Sequence, residues 1–125
     1  MKMNSKIFVY GTLRKHQVNN YLLNGAKYLG IHATRPGYKM FHLGGYPGVV
    51  KGGGCAVQGE VYAVDSKIMI SLDRLEGYPH AYSRELIATP WGKAWIYLYR
   101  GSLAGKAEIP SGFWQDQVYQ RRWTR

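Results

Sequence analysis

The sequence predicts an α+β fold: an antiparallel or mixed β-sheet of about six or seven strands, closed into a small barrel and flanked by short helices. Three observations predict it. The chain holds 16 Gly and 11 Tyr in 125 residues, a composition that favours strands joined by tight turns over a helix bundle. Short runs of β-branched and aromatic residues recur between Gly- and Pro-containing breaks. Only two segments carry a helical pattern, too few to cross over between the strands of a parallel sheet. The length fits a single domain, residues 1–125, with its core in about 6–100 and a looser tail over 101–125.

After a frayed start at Met1 to Ser5, the first strand is Lys6 to Tyr10. Ile7, Phe8, Val9 and Tyr10 are β-branched or aromatic, which suits a buried strand. Gly11 then permits a sharp turn or a positive φ. A core strand ending in Gly11-Thr12 can aim several unpaired backbone N–H groups into one concavity, suited to a carboxylate or another anion. The plainer alternative is an ordinary turn. Gln17 to Leu23 predicts two helical turns, stopped by Asn24-Gly25. Tyr28 to Ala33 and Tyr38 to Leu43 predict a pair of strands about the Pro36-Gly37 turn. Val49-Val50 reads as a short strand pinned between two Gly-rich bends, Gly44 to Gly48 and Gly52 to Gly54. Neither bend carries the Gly-Lys-Ser/Thr of a phosphate loop.

Cys55 to Val64 is the clearest long strand, with Val57, Gly59, Val61 and Ala63 on one face and Gln58, Glu60 and Tyr62 on the other. Asp65 or Ser66 caps the helix that follows, Lys67 to Glu76. Gly77 stops that helix, and Pro79 prevents its continuation. Tyr82 to Thr89 and Lys93 to Arg100 predict a hairpin around Pro90-Trp91-Gly92. Ser111 to Trp114 docks aromatics on the body or begins a short helix.

Composition excludes several function classes. Cys55 is the only cysteine, so neither an intramolecular disulfide nor a cysteine-based zinc site forms; its apolar neighbours suggest a buried strand thiol. His16, His32, His42 and His80 are dispersed and show no metal-ligand spacing, and no metal is expected. No apolar run is long enough for a signal-peptide core or a membrane span, so the expected location is the cytoplasm. Seventeen Lys/Arg against seven Asp/Glu give a formal charge of +10. That charge suits an anionic substrate or a nucleic acid, but the positive residues are scattered, with a cluster only at Arg121 to Arg125. No Gly-x-Ser-x-Gly nucleophile elbow occurs.

One carboxylate stands out. On a helical period Met69, Leu72 and Glu76 share a face, with Ile68 and Leu75 in the adjoining stripe, while Asp73 and Arg74 point outward. Glu76 therefore falls at the edge of the buried stripe, at the negative end of the helix dipole. Desolvation and the dipole both raise its pKa, toward the range that general acid–base chemistry uses. The alternative is a partly exposed helix-end Glu paired with Arg74, Arg84 or Lys67. Among the other acids, Glu60 belongs to an outer strand face, Asp65 is a cap and Glu85 alternates with apolar neighbours.

Four stretches, in order, resemble the gamma-glutamylcyclotransferase-like superfamily. They are Val9 to Arg14, Gly59 to Asp65, Leu72 to Pro79, and Tyr82-Ser83-Arg84. The short length and Gly45-Tyr46-Pro47-Gly48 look most like its compact gamma-glutamylamine cyclotransferase branch and small bacterial relatives. The resemblance covers roughly Lys6 to Arg100 and implies a small mixed β-barrel flanked by helices. It implies that Tyr10, Gly11, Thr12 and Leu13 bind the α-carboxylate and α-amine of a γ-glutamyl substrate. It further implies that Glu76 is the catalytic acid/base, that Tyr82 and Tyr99 line the pocket, and that no cofactor is needed. The implied reaction releases 5-oxoproline and an amine or peptide. Two other classes stay open on the sequence: a non-catalytic small-metabolite module, and a basic nucleic-acid-binding barrel that stacks bases on Trp and Tyr.

Overall fold

The computed structural model describes residues 2–115. Strands β1 (Ser5–Val9), β2 (Lys27–Ala33), β5 (Gln58–Val64), β6 (Tyr82–Thr89) and β7 (Gly92–Tyr99) form one sheet in the order β2-β5-β1-β7-β6. Strands β3 (Tyr38–His42), β4 (Pro47–Lys51) and β8 (Ala107–Glu108) form a second, in the order β4-β3-β8. One α-helix, α1 (Ser66–Glu76), and one 3-10 turn, Asn20–Leu23, complete the described elements. The α+β class holds, but the sheets do not close into the expected barrel: they are two separate layers, with eight strands among the described residues.

The large sheet is mixed. β1 runs antiparallel to β5 and parallel to β7, with Ile7 opposite Trp95 and Phe8 opposite Ile96. Both faces are covered, so successive residues of β1 enter different cores. Ile7 and Val9 pack with Leu23, Met69 and Leu72, under the helix and the 3-10 turn. Phe8 and Tyr10 pack with Met40 and Val49 of the small sheet. That is why Ile7 to Tyr10 carries no polar residue: a strand buried on both faces cannot alternate.

Two local expectations fail. Gln17 to Leu23 does not make α-helical turns. The Asn19 side-chain amide donates to Thr12 Oγ1 at 2.9 Å and that of Asn20 to the Leu13 carbonyl at 2.8 Å. These side chains are committed to the preceding turn, and the backbone closes only three-residue bonds such as Leu22 N–H to Asn19 O. Nor do β2 and β3 pair with each other. Thr34 N–H donates to Val57 O, Val57 N–H donates to Thr34 Oγ1, and Tyr38 N–H donates to Cys55 O. Residues 34–38 therefore run along 55–57 and carry the chain from one sheet to the other. β5 begins at Gln58, and Cys55 contributes only an isolated bridge to Tyr38.

Helix α1 forms as expected. Asp65 is its N-cap, accepting from Ile68 N–H at 2.8 Å, and Gly77 closes it in the left-handed conformation at φ 65°. The β6–β7 hairpin pairs from Tyr82↔Tyr99 to Thr89↔Gly92. Beyond it, Trp114 is buried against the body, as one of the two readings of that stretch required, while Phe113 stays exposed. The basic cluster at Arg121 to Arg125 lies outside the described residues. Among the described residues no helix is long and apolar enough to cross a membrane.

Candidate active site

A cavity of about 560 Å³ opens where the end of β1, the β3–β4 loop and the end of α1 meet. Tyr10, Gly11, Thr12 and Leu13 line one side; Glu76, Gly77 and Tyr82 line another; Tyr46 and Pro47 close a third. The two halves that the sequence separates by more than half the chain thus share one pocket.

The turn is built to leave donors free. Arg14 N–H bonds to Gly11 O, and Lys15 N–H is taken by Glu60 Oε1 at 2.9 Å. The carbonyl of Thr12 receives Asn19 N–H. Among the described residues the N–H groups of Gly11, Thr12 and Leu13 have no protein acceptor. Three adjacent free amides beside a cavity are an anion-binding arrangement. Gly11 is required for a reason other than a positive φ: a β-carbon there would stand 2.8 Å from Pro47 Cδ. Close approach of the Pro47 ring, not left-handed backbone, excludes a side chain.

Glu76 is half-buried at the helix end, and burial pushes its carboxyl up from 4.5 to about 7. Among the described residues it makes no ion pair, and the cation pairing that the sequence left open does not form. Arg84 is bound instead to Asp73, through Nε to Oδ1 at 3.0 Å and Nη2 to Oδ2 at 3.1 Å. Its guanidinium also lies over the rings of Tyr78 and Trp95. Asp73 does not point outward as expected; it also accepts the Tyr97 hydroxyl at 2.7 Å. The carboxylate that takes the cation is thus one turn back along the helix, which leaves Glu76 unneutralised in the cavity wall.

Three tyrosines surround it. Tyr10 donates to Tyr97 O at 2.7 Å and Tyr82 to Pro47 O at 3.0 Å. Burial raises the pKa of Tyr10, Tyr82 and Tyr97 alike, and the Glu76 charge adds to it in each. All three hydroxyls stay protonated and act as fixed donors. Tyr99 does not line the cavity; its ring packs on that of Tyr82, centroids 5.3 Å apart.

Sequence reasoning missed Asn19, Pro47 and Tyr97 on the cavity wall, and Asp73, Arg84 and Asn20 behind it. The Asn19-Asn20 pair, so soon after Thr12-Leu13, was a usable signal. Among the described residues no group of three His, Cys, Asp or Glu side chains stands close enough to hold a metal ion.

The sequence pattern of the family described as gamma-glutamyl cyclotransferase, AIG2-like, matches residues 7–116. The chain belongs to this family. It is 42% identical over 112 residues to the gamma-glutamylcyclotransferase family protein YtfP of Escherichia coli K12, covering 90% of this chain and 97% of that one. A Vibrio cholerae relative is 43% identical over 116 residues, covering 93% of this chain and all of the relative. The solution structure of Escherichia coli ytfP superposes with a TM-score of 0.74 at 41% identity, covering 90% of this chain and 98% of that one. An uncharacterised protein from Pyrococcus horikoshii superposes with a TM-score of 0.82 at 30% identity, covering 98% and 99%.

Proposed function

We propose that the chain is a γ-glutamyl cyclotransferase that uses Glu76 as its acid–base group. The observation that carries this reading is that an unpaired, partly desolvated carboxylate and three consecutive residues with free amides line one cavity. The amides of Gly11, Thr12 and Leu13 receive the substrate's α-carboxylate. Tyr10 and Tyr82 wall the bent side chain, and Tyr99 keeps Tyr82 in place. The α-amine then attacks the γ-carbonyl carbon of the same molecule. A C–N bond forms, closing the five-membered ring of 5-oxoproline, and the bond to the leaving amine breaks.

Glu76 takes a proton from the attacking amine and returns it to the leaving nitrogen. One group serves both steps only if its pKa lies near the working pH, and about 7 satisfies that. Orientation supplies much of the rest, since holding both reacting groups in a near-attack geometry can lower a barrier by up to about 7–11 kcal/mol. Backbone donors beside the turn stabilise the oxyanion. No step requires a cofactor.

The test compares wild type with Glu76→Gln on a panel of γ-glutamyl amines and peptides, reading 5-oxoproline release and, by calorimetry, ligand binding. The expected result is a loss of turnover of roughly 10²–10⁴-fold with binding retained. Equal turnover in both proteins overturns the role of Glu76. Salt-sensitive RNA binding by both, with no turnover in either, replaces the enzyme with the nucleic-acid reading.

A further inference from the structure

The cavity is larger than a γ-glutamyl group requires. That group has nine non-hydrogen atoms, which at a water-like share fill no more than about 270 Å³. The cavity holds about 560 Å³. The cavity runs from a buried floor, made by Phe8, Tyr10, Pro47, Tyr82 and Tyr97, to a mouth made of exposed side chains.

The chemistry of that mouth is unusual for a surface. Val18 is 75% exposed, Tyr46 47% and Leu75 41%, and all three line this one cavity. Leu75 belongs by its helical position to the stripe that should be buried, yet the fold leaves it open. Scattered single apolar residues need no explanation, but three converging on a pocket rim do. Each stands next in sequence to a residue of the cavity floor, turn or wall. Val18 precedes Asn19, which is bonded to Thr12; Tyr46 precedes Pro47, which packs on Gly11; Leu75 precedes Glu76. The charged side chains lining the cavity are Glu76 and Arg74, and Arg74 is exposed at the mouth.

We infer that the mouth holds the leaving group, and that this group is a large apolar amine without positive charge, its chain lying on Val18, Tyr46 and Leu75. The inference rests on the cyclotransferase reading for the word "leaving". A leaving group with a second ammonium is disfavoured, because it meets Arg74 and three apolar side chains and finds no carboxylate beyond Glu76.

Three γ-glutamyl amides of phenethylamine, methylamine and 1,4-diaminobutane test it. Wild type should favour the phenethylamide over both others by about tenfold or more in kcat/KM, within the range that apolar contacts discriminate. Leu75→Ser and Val18→Ser should each lower the phenethylamide-to-methylamide ratio several-fold, and Arg74→Glu should raise the relative rate of the diamine compound. The same order should appear in calorimetric affinity for Glu76→Gln. A ratio near one, or a preference for the diamine compound, overturns the inference while leaving the cyclotransferase intact. Absence of turnover on all three, with the affinity order preserved, overturns the reaction and retains the apolar mouth.

Discussion

Tyr97 gives its hydroxyl to Asp73 at 2.7 Å while its carbonyl receives the Tyr10 hydroxyl, also at 2.7 Å. One residue of β7 therefore ties the helix that ends in Glu76 to the strand that ends in the Gly11 turn. Tyr97→Phe removes the first of these bonds and leaves the second. A hydrogen bond to a charged partner contributes about 1.5–3 kcal/mol, and urea unfolding should show a loss in that range. With Arg84 still holding Asp73 the helix stays formed but less firmly seated. Turnover should fall in Tyr97→Phe more than substrate affinity does, and a variant with unchanged stability would refute the tie.

Gly11→Ala places a methyl group where Pro47 already packs, 2.8 Å from Cδ. Overpacking of this kind costs about 1–3 kcal/mol and shifts the turn away from the cavity. The pair should be coupled. Pro47→Ala, which removes the ring atoms at fault, should be less damaging in the Gly11→Ala background than in wild type. A double-mutant cycle on the unfolding midpoint measures this, and strict additivity would show that the contact is not the cause.

Ionising Glu76 should destabilise the fold. Its folded-state value of about 7 lies above the ordinary 4.5, so the folded chain holds this proton more tightly than the unfolded chain does. The stabilisation that follows is fully present below about pH 4.5 and is lost as pH rises through about 7. The full effect is up to about 3 kcal/mol. Glu76→Gln has no such loss. Melting curves of the two proteins from pH 4 to 9 should therefore separate, in favour of Glu76→Gln, as pH increases. Parallel curves would mean that the carboxyl titrates normally.

Arg14 is buried, lies over the rings of Phe113 and Trp114, and donates through Nη2 to Trp114 O at 2.6 Å and through Nε to Gly11 O at 3.2 Å. Lys keeps the charge but neither the planar fork nor the stacking. In Arg14→Lys, hydrogen exchange of the Gly112 amide, bonded to Ile109 O, and of the Gln58 amide, bonded to Gly112 O, should accelerate. Unchanged protection at both would argue against the anchor.

What could be read from residues alone was local. Asp65 as cap, Gly77 as stop, the hairpin at Pro90-Trp91-Gly92 and the edge position of Glu76 all follow from short-range periodicity and turn chemistry, and all are present. The misread parts depend on partners far along the chain. Nothing near Tyr28 says that its strand will pair with β5 rather than with its neighbour in sequence. The helical period put Asp73 on the outer face, because it cannot register Arg84 and Tyr97 arriving from β6 and β7. Tyr99 shares a strand face with Tyr97, as a pocket candidate should, yet it packs against Tyr82 and lines no part of the cavity.

The parallel pairing of β1 with β7 also has a consequence for biosynthesis. Phe8 and Ile96 are neighbours in the finished sheet but lie about 90 residues apart in the chain. At ribosomal rates of about 5–20 residues per second, the central strand waits roughly 5–18 s before its second partner exists. Until Gln58–Val64 has been made both edges of β1 are open, and from then until β7 is made β1 can pair with β5 but still has one edge open. That open edge is where a nascent-chain chaperone or an aggregating neighbour would first take hold.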